Sequence, residues 1–271
     1  MPVKQQGKLK VWQRRDRNKQ LLIWFGWLVG VAVFMFCWKI ISDATTWFFV
    51  FDAPRIAADI GGRAWPPRWE YLSELWKPMW DTINIATLGT LLAVIMGVPV
   101  AFLAANNTTP SKTFLRPLAL LIIVATRSIN SLVWALLLVS IIGPGIFAGT
   151  LAIAIRSIGF VGKLLYEAIE EIDTKQVEAI QATGASKLQV IAYGIVPQVM
   201  PAFAGLSVFR WDINIRESTI LGLVGAGGIG LYLQSSLNTL AWPQVTVILF
   251  MILIAVLISE WVSSKIRLSI I

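Results

Sequence analysis

The sequence predicts an all-α membrane protein with about six transmembrane helices, and three observations predict it. Hydrophobic residues make up 56% of the chain and charged ones only 14%, where a soluble domain is about one quarter charged. Six apolar stretches approach the roughly 20 residues that a helix needs to cross a bilayer core. Several of the 13 Trp stand where an apolar run meets a polar one, Trp24 and Trp38 beside the first run and Trp80 beside the second. Indole rings prefer that interface.

The stretches run over residues 21–41, 80–105, 115–142, 147–165, 188–212 and 243–262. The first is too long for a signal-peptide core and no small-residue cleavage pattern follows it, so it reads as a retained helix. Residues 42–79 form the longest connection and mix Trp47, Phe48, Phe49 and Phe51 with Pro54, Gly61, Gly62, Pro66 and Pro67. That segment is expected along the outer surface, either resting at the lipid interface or forming part of a docking platform. Runs such as 91–105 and 249–258 are apolar all round, which fits helices and not the alternating strands of a barrel. The organisation is therefore a basic tail (1–20), a first helix with its outer segment (21–79) and a transmembrane domain (80–265).

Orientation follows from Lys and Arg, which stay on the cytoplasmic side. Lys4, Lys8, Lys10, Arg14, Arg15, Arg17 and Lys19 of the tail share a side with Lys112, Arg116, Lys163, Lys175, Lys187, Lys265 and Arg267. The opposite side holds only Arg55, Arg63, Arg68, Lys77 and Arg216. Both termini are expected in the cytoplasm. This distribution accounts for the +8 net charge better than a nucleic-acid-binding face does. There is no His, and the single Cys37 lies in an apolar run. Disulfide frameworks, thiolate clusters and most triad or acid-base chemistry thus lose their usual residues.

Between the fourth and fifth spans, residues 167–197 stay polar for longer than a turn requires. Asp173 with Gln176 fits a helix N-cap and its reciprocal partner. Val177 and Ile180 then place an apolar stripe on one face, and Glu178 and Gln181 extend the polar one. Gly184 supplies a helix-ending left-handed residue, and Ser186 with Gln189 makes a second capping box. Pro197 should kink the helix that follows. The prediction is helix, bend, helix, about 167–187. So short a helix needs something to pack on, and two partners stay open: its own bundle or lipid surface, or another subunit into which it docks as a knob.

The run VEAIQATGASKLQVIAYGIVP resembles the EAA loop of bacterial ABC import permeases, with Glu178 and Ala179 matching its opening, Gly184 its glycine and Pro197 its closing proline. Ile180 stands where that pattern commonly has a second alanine, Gly194 where isoleucine is common, and Val196 in place of leucine. The stretches IIGPGIFAGTLAIAIRSIGFVGKLLYEAIEEID, GIVPQVMPAF and NIRESTILGLVGAGGIG look like the permeases of phosphonate and phosphite importers. The resemblance implies the MetI-like ABC permease fold and a loop that inserts into the ATP-hydrolysing subunit. It assigns coupling to Asp173, Gln176, Glu178, Ala179, Ile180, Gly184 and Ala185. It further implies a second copy of the permease, two ATPase subunits carrying ATP and magnesium, an extracytoplasmic binding protein, and no cofactor in this chain. Location is expected in the bacterial inner membrane.

Two glycine patterns mislead. Gly225, Gly227 and Gly230 have dinucleotide-fingerprint spacing but lack the acidic residue and the context it requires. Gly225, Gly227 and Gly228 read better as a tight re-entrant or gate-lining loop, whose amides could also meet an anion. Gly162 and Lys163 lack the earlier glycine and the Ser or Thr of a phosphate loop. Gly26 and Gly30 form a GxxxG pair read as ordinary helix packing.

Arg127, Arg156, Arg210 and Asp212 fall inside the expected spans, with Arg216 and Glu217 just outside. Charges at such depth normally face a bundle interior or a watery path. Asp212 and Arg216 can pair over one helical turn. Arg127 and Arg156 have no acidic residue near in sequence, so a distant partner and an unpaired positive lining stay open. The expectation is a pathway for a small phosphorus oxyanion built from these residues and the glycine loop. Importers of other small solutes, a secondary transporter or a channel are the alternatives. Inverted repeats and intramembrane acidic relays, which the last two would use, do not stand out, and a membrane enzyme would lack His and paired carboxylates.

Overall fold

A computed structural model describes residues 3–6, 9–12 and 17–270; Lys8, Arg14 and Arg15 of the basic tail lie outside the described residues. Two short strands, β1 (Val3–Gln6) and β2 (Leu9–Trp12), pair antiparallel with Val3 opposite Trp12. The remaining described elements are helical, and the chain divides into two compact units at Gly61.

In the first unit, α1 (Arg17–Ala44) has 28 residues, about 42 Å at 1.5 Å per residue, and its side chains are almost all exposed. That surface suits lipid. The helix stops at Thr45 and Thr46, where Thr45 Oγ1 donates to Ile41 O (2.6 Å) and Trp47 Nε1 to Ser42 O (3.1 Å). The outer segment then forms a helix, α2 (Trp47–Ala64), which continues through Pro54. Gly26 and Gly30 face open space, with nothing within 4 Å of an added Cβ.

The second unit begins with α3 (Leu72–Ala104), followed by α4 (Leu115–Ser128), α5 (Ser131–Ile142) and α6 (Ile146–Glu170). The third expected span is therefore not one straight helix: α4 and α5 meet at 89°. The break falls where Ile129 and Asn130 turn extended and Asn130 Oδ1 accepts from Leu132 N (3.1 Å), capping a new helix. With that bent pair counted as one, six helical segments among the described residues are long and apolar enough to cross a membrane. The fold is that of a multi-pass all-α membrane protein.

After α6 come α7 (Thr174–Ala182), α8 (Lys187–Val190), a π-turn over Ile191–Ile195 and α9 (Val196–Leu221). Pro197 stands at the start of α9, just after the π-turn. The missing proline N–H frees the carbonyl one turn back, and a π-turn is one way the ladder absorbs that loss. α9 runs on to Leu221, so Arg216 and Glu217 lie within it and not beyond its end. A glycine-rich loop then leads to α10 (Ile229–Asn238) and α11 (Trp242–Ile270).

In lipid, apolar surface gives helices little reason to associate, so close packing of small residues and internal hydrogen bonds hold the bundle. α6 lies at its centre. A Cβ added at Gly89 of α3 would come 2.7 Å from Ile153 Cγ2, one at Gly159 2.6 Å from Ile123 O of α4, and one at Gly149 2.5 Å from Ala226 O. Buried Ile85, Ala152, Ile153, Leu221 and Ala226 fill one end. Ala101, Leu165, Ile169, Ile195 and Val199 fill the other.

The closest approach is at Gly230, where an added Cβ would stand 2.0 Å from Thr219 O. Gly230→Ala should therefore cost on the order of 2 kcal/mol or more by overpacking, while Gly26→Ala leaves stability unchanged. Thermal melting of the detergent-solubilised variants, followed by size-exclusion chromatography, checks this difference.

Candidate functional site

The chain has two polar constructions that packing alone does not require, one at the α6 to α9 elbow and one inside the spans.

Asp173 caps α7, its Oδ1 accepting from Lys175 N (3.0 Å). The reciprocal bond expected from Gln176 is not made; the Asp173 backbone N–H goes instead to Gln198 Oε1 of α9 (3.0 Å). Gln198 Nε2 donates to Gly194 O (2.6 Å), so one side chain joins the start of the elbow to the start of α9. Sequence reasoning passed over Gln198. Its one signal was a lone amide beside Pro197 in an apolar run. At the far end of α7, Gly184 adopts φ +81° and its N–H donates to Gln181 O (3.0 Å), turning the chain with no side chain in the way. Ser186 N then donates to Gln189 Oε1 (2.8 Å), the second capping box.

Val177 and Ile180 are half-buried, while Gln176, Glu178, Ala179, Gln181 and Ala182 are exposed and Ala185 is half-buried. The apolar stripe rests on Gly194: a Cβ there would lie 3.3 Å from Ile180 Cδ1 and 3.6 Å from Val177 Cα. The elbow thus packs on its own bundle through one face and presents the other outward. Both options left open by the sequence are compatible with this placement. Two of the departures from the EAA pattern also meet here, a larger residue at Ile180 against a smaller one at Gly194.

Inside the spans, the first gap closed is that around Arg156. Its partner is Glu217 of α9, 61 residues away in sequence, and its Nη1 also donates to Ser131 Oγ of α5 (3.3 Å). Arg210 Nη2 reaches the other oxygen of Glu217 (3.4 Å), while its Nε donates to Ser157 Oγ (2.8 Å) and its guanidinium lies 5.0 Å from the Phe160 ring centroid. Asn214 Nδ2 donates to Thr90 Oγ1 (2.7 Å), tying α9 to α3 at the same level. A second pair joins Arg216 to Asp212, whose other oxygen accepts from Ser259 Oγ of α11 (2.7 Å). Arg127 is exposed at the end of α4 and no ion pair reaches it among the described residues.

The glycine loop takes positive φ at Gly225 (+85°), Gly227 (+82°) and Gly228 (+74°), angles a side chain would oppose. Amides at its two ends are satisfied within the protein. Gly225 N donates to Gly222 O (3.1 Å), Ala226 N to Leu221 O (3.2 Å) and Ile229 N to Thr82 Oγ1 (2.8 Å). The loop is wedged against the start of α6, where Gly145 N donates to Gly225 O (3.0 Å). Close backbone approach accounts for these glycines: an added Cβ at Gly227 would come 3.0 Å from Ile146 N and one at Gly228 2.6 Å from Thr82 Oγ1.

Residues 97–264 match the family model described as the binding-protein-dependent transport system inner membrane component. The chain is 37% identical to the phosphite transport system permease protein of Stutzerimonas stutzeri, over 92% of this chain and 87% of that one. It is 40% identical to the phosphate-import permease protein of Mycolicibacterium smegmatis over 74% of this chain but 38% of that longer protein. Among solved structures, the fold resembles an inward-facing MetNI methionine ABC transporter chain (TM-score 0.65, 19% identity, 74% of this chain and 98% of that one). It also resembles a chain of an amino acid ABC transporter (TM-score 0.63, 20% identity, 73% and 94%).

The contact between Ile180 and Gly194 yields a test. Gly194→Ile should unseat α7, exposing it to limited proteolysis about tenfold faster, as expected when a marginal helix loses its packing. Adding Ile180→Ala should restore most of the protection. Cleavage rates across residues 173–187, followed by mass spectrometry, measure both.

Proposed function

This chain belongs to the family of binding-protein-dependent transport system inner membrane components, and we propose that it moves a small phosphorus oxyanion inward as one of a pair of such permeases. It is the membrane-spanning permease subunit of an ABC importer and not itself an enzyme. On this reading two copies work with two ATPase subunits, which bind ATP and magnesium, and with an extracytoplasmic binding protein that delivers the anion. Both termini lie in the cytoplasm of a bacterial inner membrane, in keeping with the excess of Lys and Arg on that side.

Two relatives support the anion class, since the permeases at 37% and 40% identity are named for phosphite and phosphate. The observation that carries it is the composition of the intramembrane cluster, in which Arg156, Arg210 and Arg216 outnumber Asp212 and Glu217. A surplus cation at membrane depth suits an anion's path. Arg127, Arg156, Arg210, Asp212, Arg216 and Glu217 line that path on this reading, and Gly225, Gly227 and Gly228 shape its gate.

Coupling is mechanical. The exposed face of α7, with Glu178, Ala179 and the Gly184 bend, docks into the ATPase, and Asp173, Gln176, Ile180 and Ala185 hold its shape. Arg210 and Glu217 lie 12 and 19 residues beyond Gln198 on α9, about 18 and 28 Å along a helix. Closure of the ATPases would move α7, α9 would move with it, and the ion-pair cluster would be carried at the far end of the same rod.

Reconstituted with its ATPase and binding protein, the permease should take up phosphite in an ATP-dependent way and leave sulfate outside. Glu178→Arg with Gly184→Trp should abolish ATPase co-purification while the chain stays in the membrane. Intact co-purification would contradict the coupling role, and equal uptake of sulfate the substrate class.

A further inference from the structure

Glu217 is a single carboxylate shared by two guanidiniums, and the sharing is unequal. The Arg210 side chain is 3% exposed, Glu217 16% and Arg156 29%. Arg210 is further committed to Ser157 Oγ and to the face of Phe160. Beyond Glu217, Arg156 bonds among the described residues only to Ser131 Oγ (3.3 Å). The neighbouring acid, Asp212, is already paired with Arg216 and Ser259. The Arg156, Arg210 and Glu217 group therefore carries one uncompensated positive charge where water is scarce, an expensive state.

A second, independent observation comes from α5. Among the described residues, only Trp134 Nε1 and Ser263 Oγ are buried side-chain polar atoms without a hydrogen-bond partner. Trp134 stands one turn after Ser131 on α5 and packs against the buried cluster that includes Ile153 and Leu221. Those residues lie one turn from Arg156 on α6 and from Glu217 on α9. An indole N–H is a donor only, and a dry donor with no acceptor is costly. A single group serving both needs would accept hydrogen bonds and carry about one negative charge.

We propose that Glu217 is an internal counter-anion, and that the transported oxyanion displaces it from Arg156, taking that guanidinium together with Trp134 Nε1–H and Ser131 Oγ–H, which turns to it from Asn130 Oδ1 (3.2 Å). Glu217 remains on Arg210, so each guanidinium then has one anion and the surplus charge is gone. Tetrahedral oxyanions have several acceptor oxygens, matching a charged fork plus two neutral donors. No covalent bond is made or broken in this exchange. When the anion leaves, Glu217 returns to bridge both arginines, so the site never stands with two bare cations. This assignment rests on the proposed phosphorus-oxyanion substrate.

The test is binding of inorganic phosphite to the purified permease and ATPase assembly without the binding protein, read by phosphorus NMR line broadening. Arg156→Gln should weaken binding by about tenfold or more, and Trp134→Phe and Ser131→Ala by about threefold each, the usual range for losing a charged and a neutral hydrogen bond. Glu217→Asp, which keeps the charge beside Arg210 but shortens its reach to Arg156, should tighten binding. Glu217→Gln should tighten it too where the variant folds. Weaker binding in Glu217→Asp, as a purely structural ion pair would give, overturns the proposal; so does unchanged binding in Arg156→Gln or Trp134→Phe. If the unaltered assembly neither broadens phosphite nor imports it with its binding protein, the substrate reading fails instead, and the two failures are told apart.

Discussion

The seating of α7 on the start of α9 is the contact on which the rest of the structure depends. Gln198 holds both ends of the joint, accepting from the Asp173 backbone and donating to Gly194 O. Val177 and Ile180 close over the space that Gly194 leaves open. A nine-residue helix is too short to persist by itself in water. Fixed in this way, it becomes an extension of α9. Whatever engages its outer face then acts on the helix that carries Arg210, Asp212, Asn214, Arg216 and Glu217.

Those residues explain why α9 sits in one register against its neighbours. Asn214 reaches Thr90 of α3, Arg210 reaches Ser157 of α6, Glu217 reaches Arg156 of α6, and Asp212 reaches Ser259 of α11. Lipid offers no alternative partner for a buried polar group. Sliding α9 by one residue would break all four links, so specificity in this bundle comes from polar bonds more than from apolar fit. Small residues supply the remainder by letting backbones touch, as Gly149 does against Ala226 and Gly222 against Gly230.

The sequence made legible whatever depends on neighbours within a turn or two. The Asp212 and Arg216 pair, the left-handed Gly184, the Ser186 and Gln189 box and the existence of the long apolar helices all follow from spacing. What lay hidden depends on distant chain. Arg156 finds Glu217 across 61 positions, and Asp173 spends its N–H on Gln198 and not on Gln176, because tertiary packing brings the Gln198 amide to it. The 89° break at Asn130 was masked by the uniform hydropathy on either side of it. A cap residue in an apolar run was the available clue. The reach of α9 to Leu221 was hidden for the opposite reason. Charged Arg216 and Glu217 look like the end of a span until their partners are known.

A cross-link between α7 and α9 tests most directly whether the elbow and α9 move as one body. Val177→Cys with Gly194→Cys, in a Cys37→Ser background, places thiols where an added Gly194 Cβ lies 3.6 Å from Val177 Cα, within reach of a disulfide. ATP-driven phosphite uptake by the reconstituted importer should be the same oxidised or reduced. Uptake that stops on oxidation and returns on reduction would mean that α7 pivots on α9 during the cycle, and the rigid joint would be contradicted.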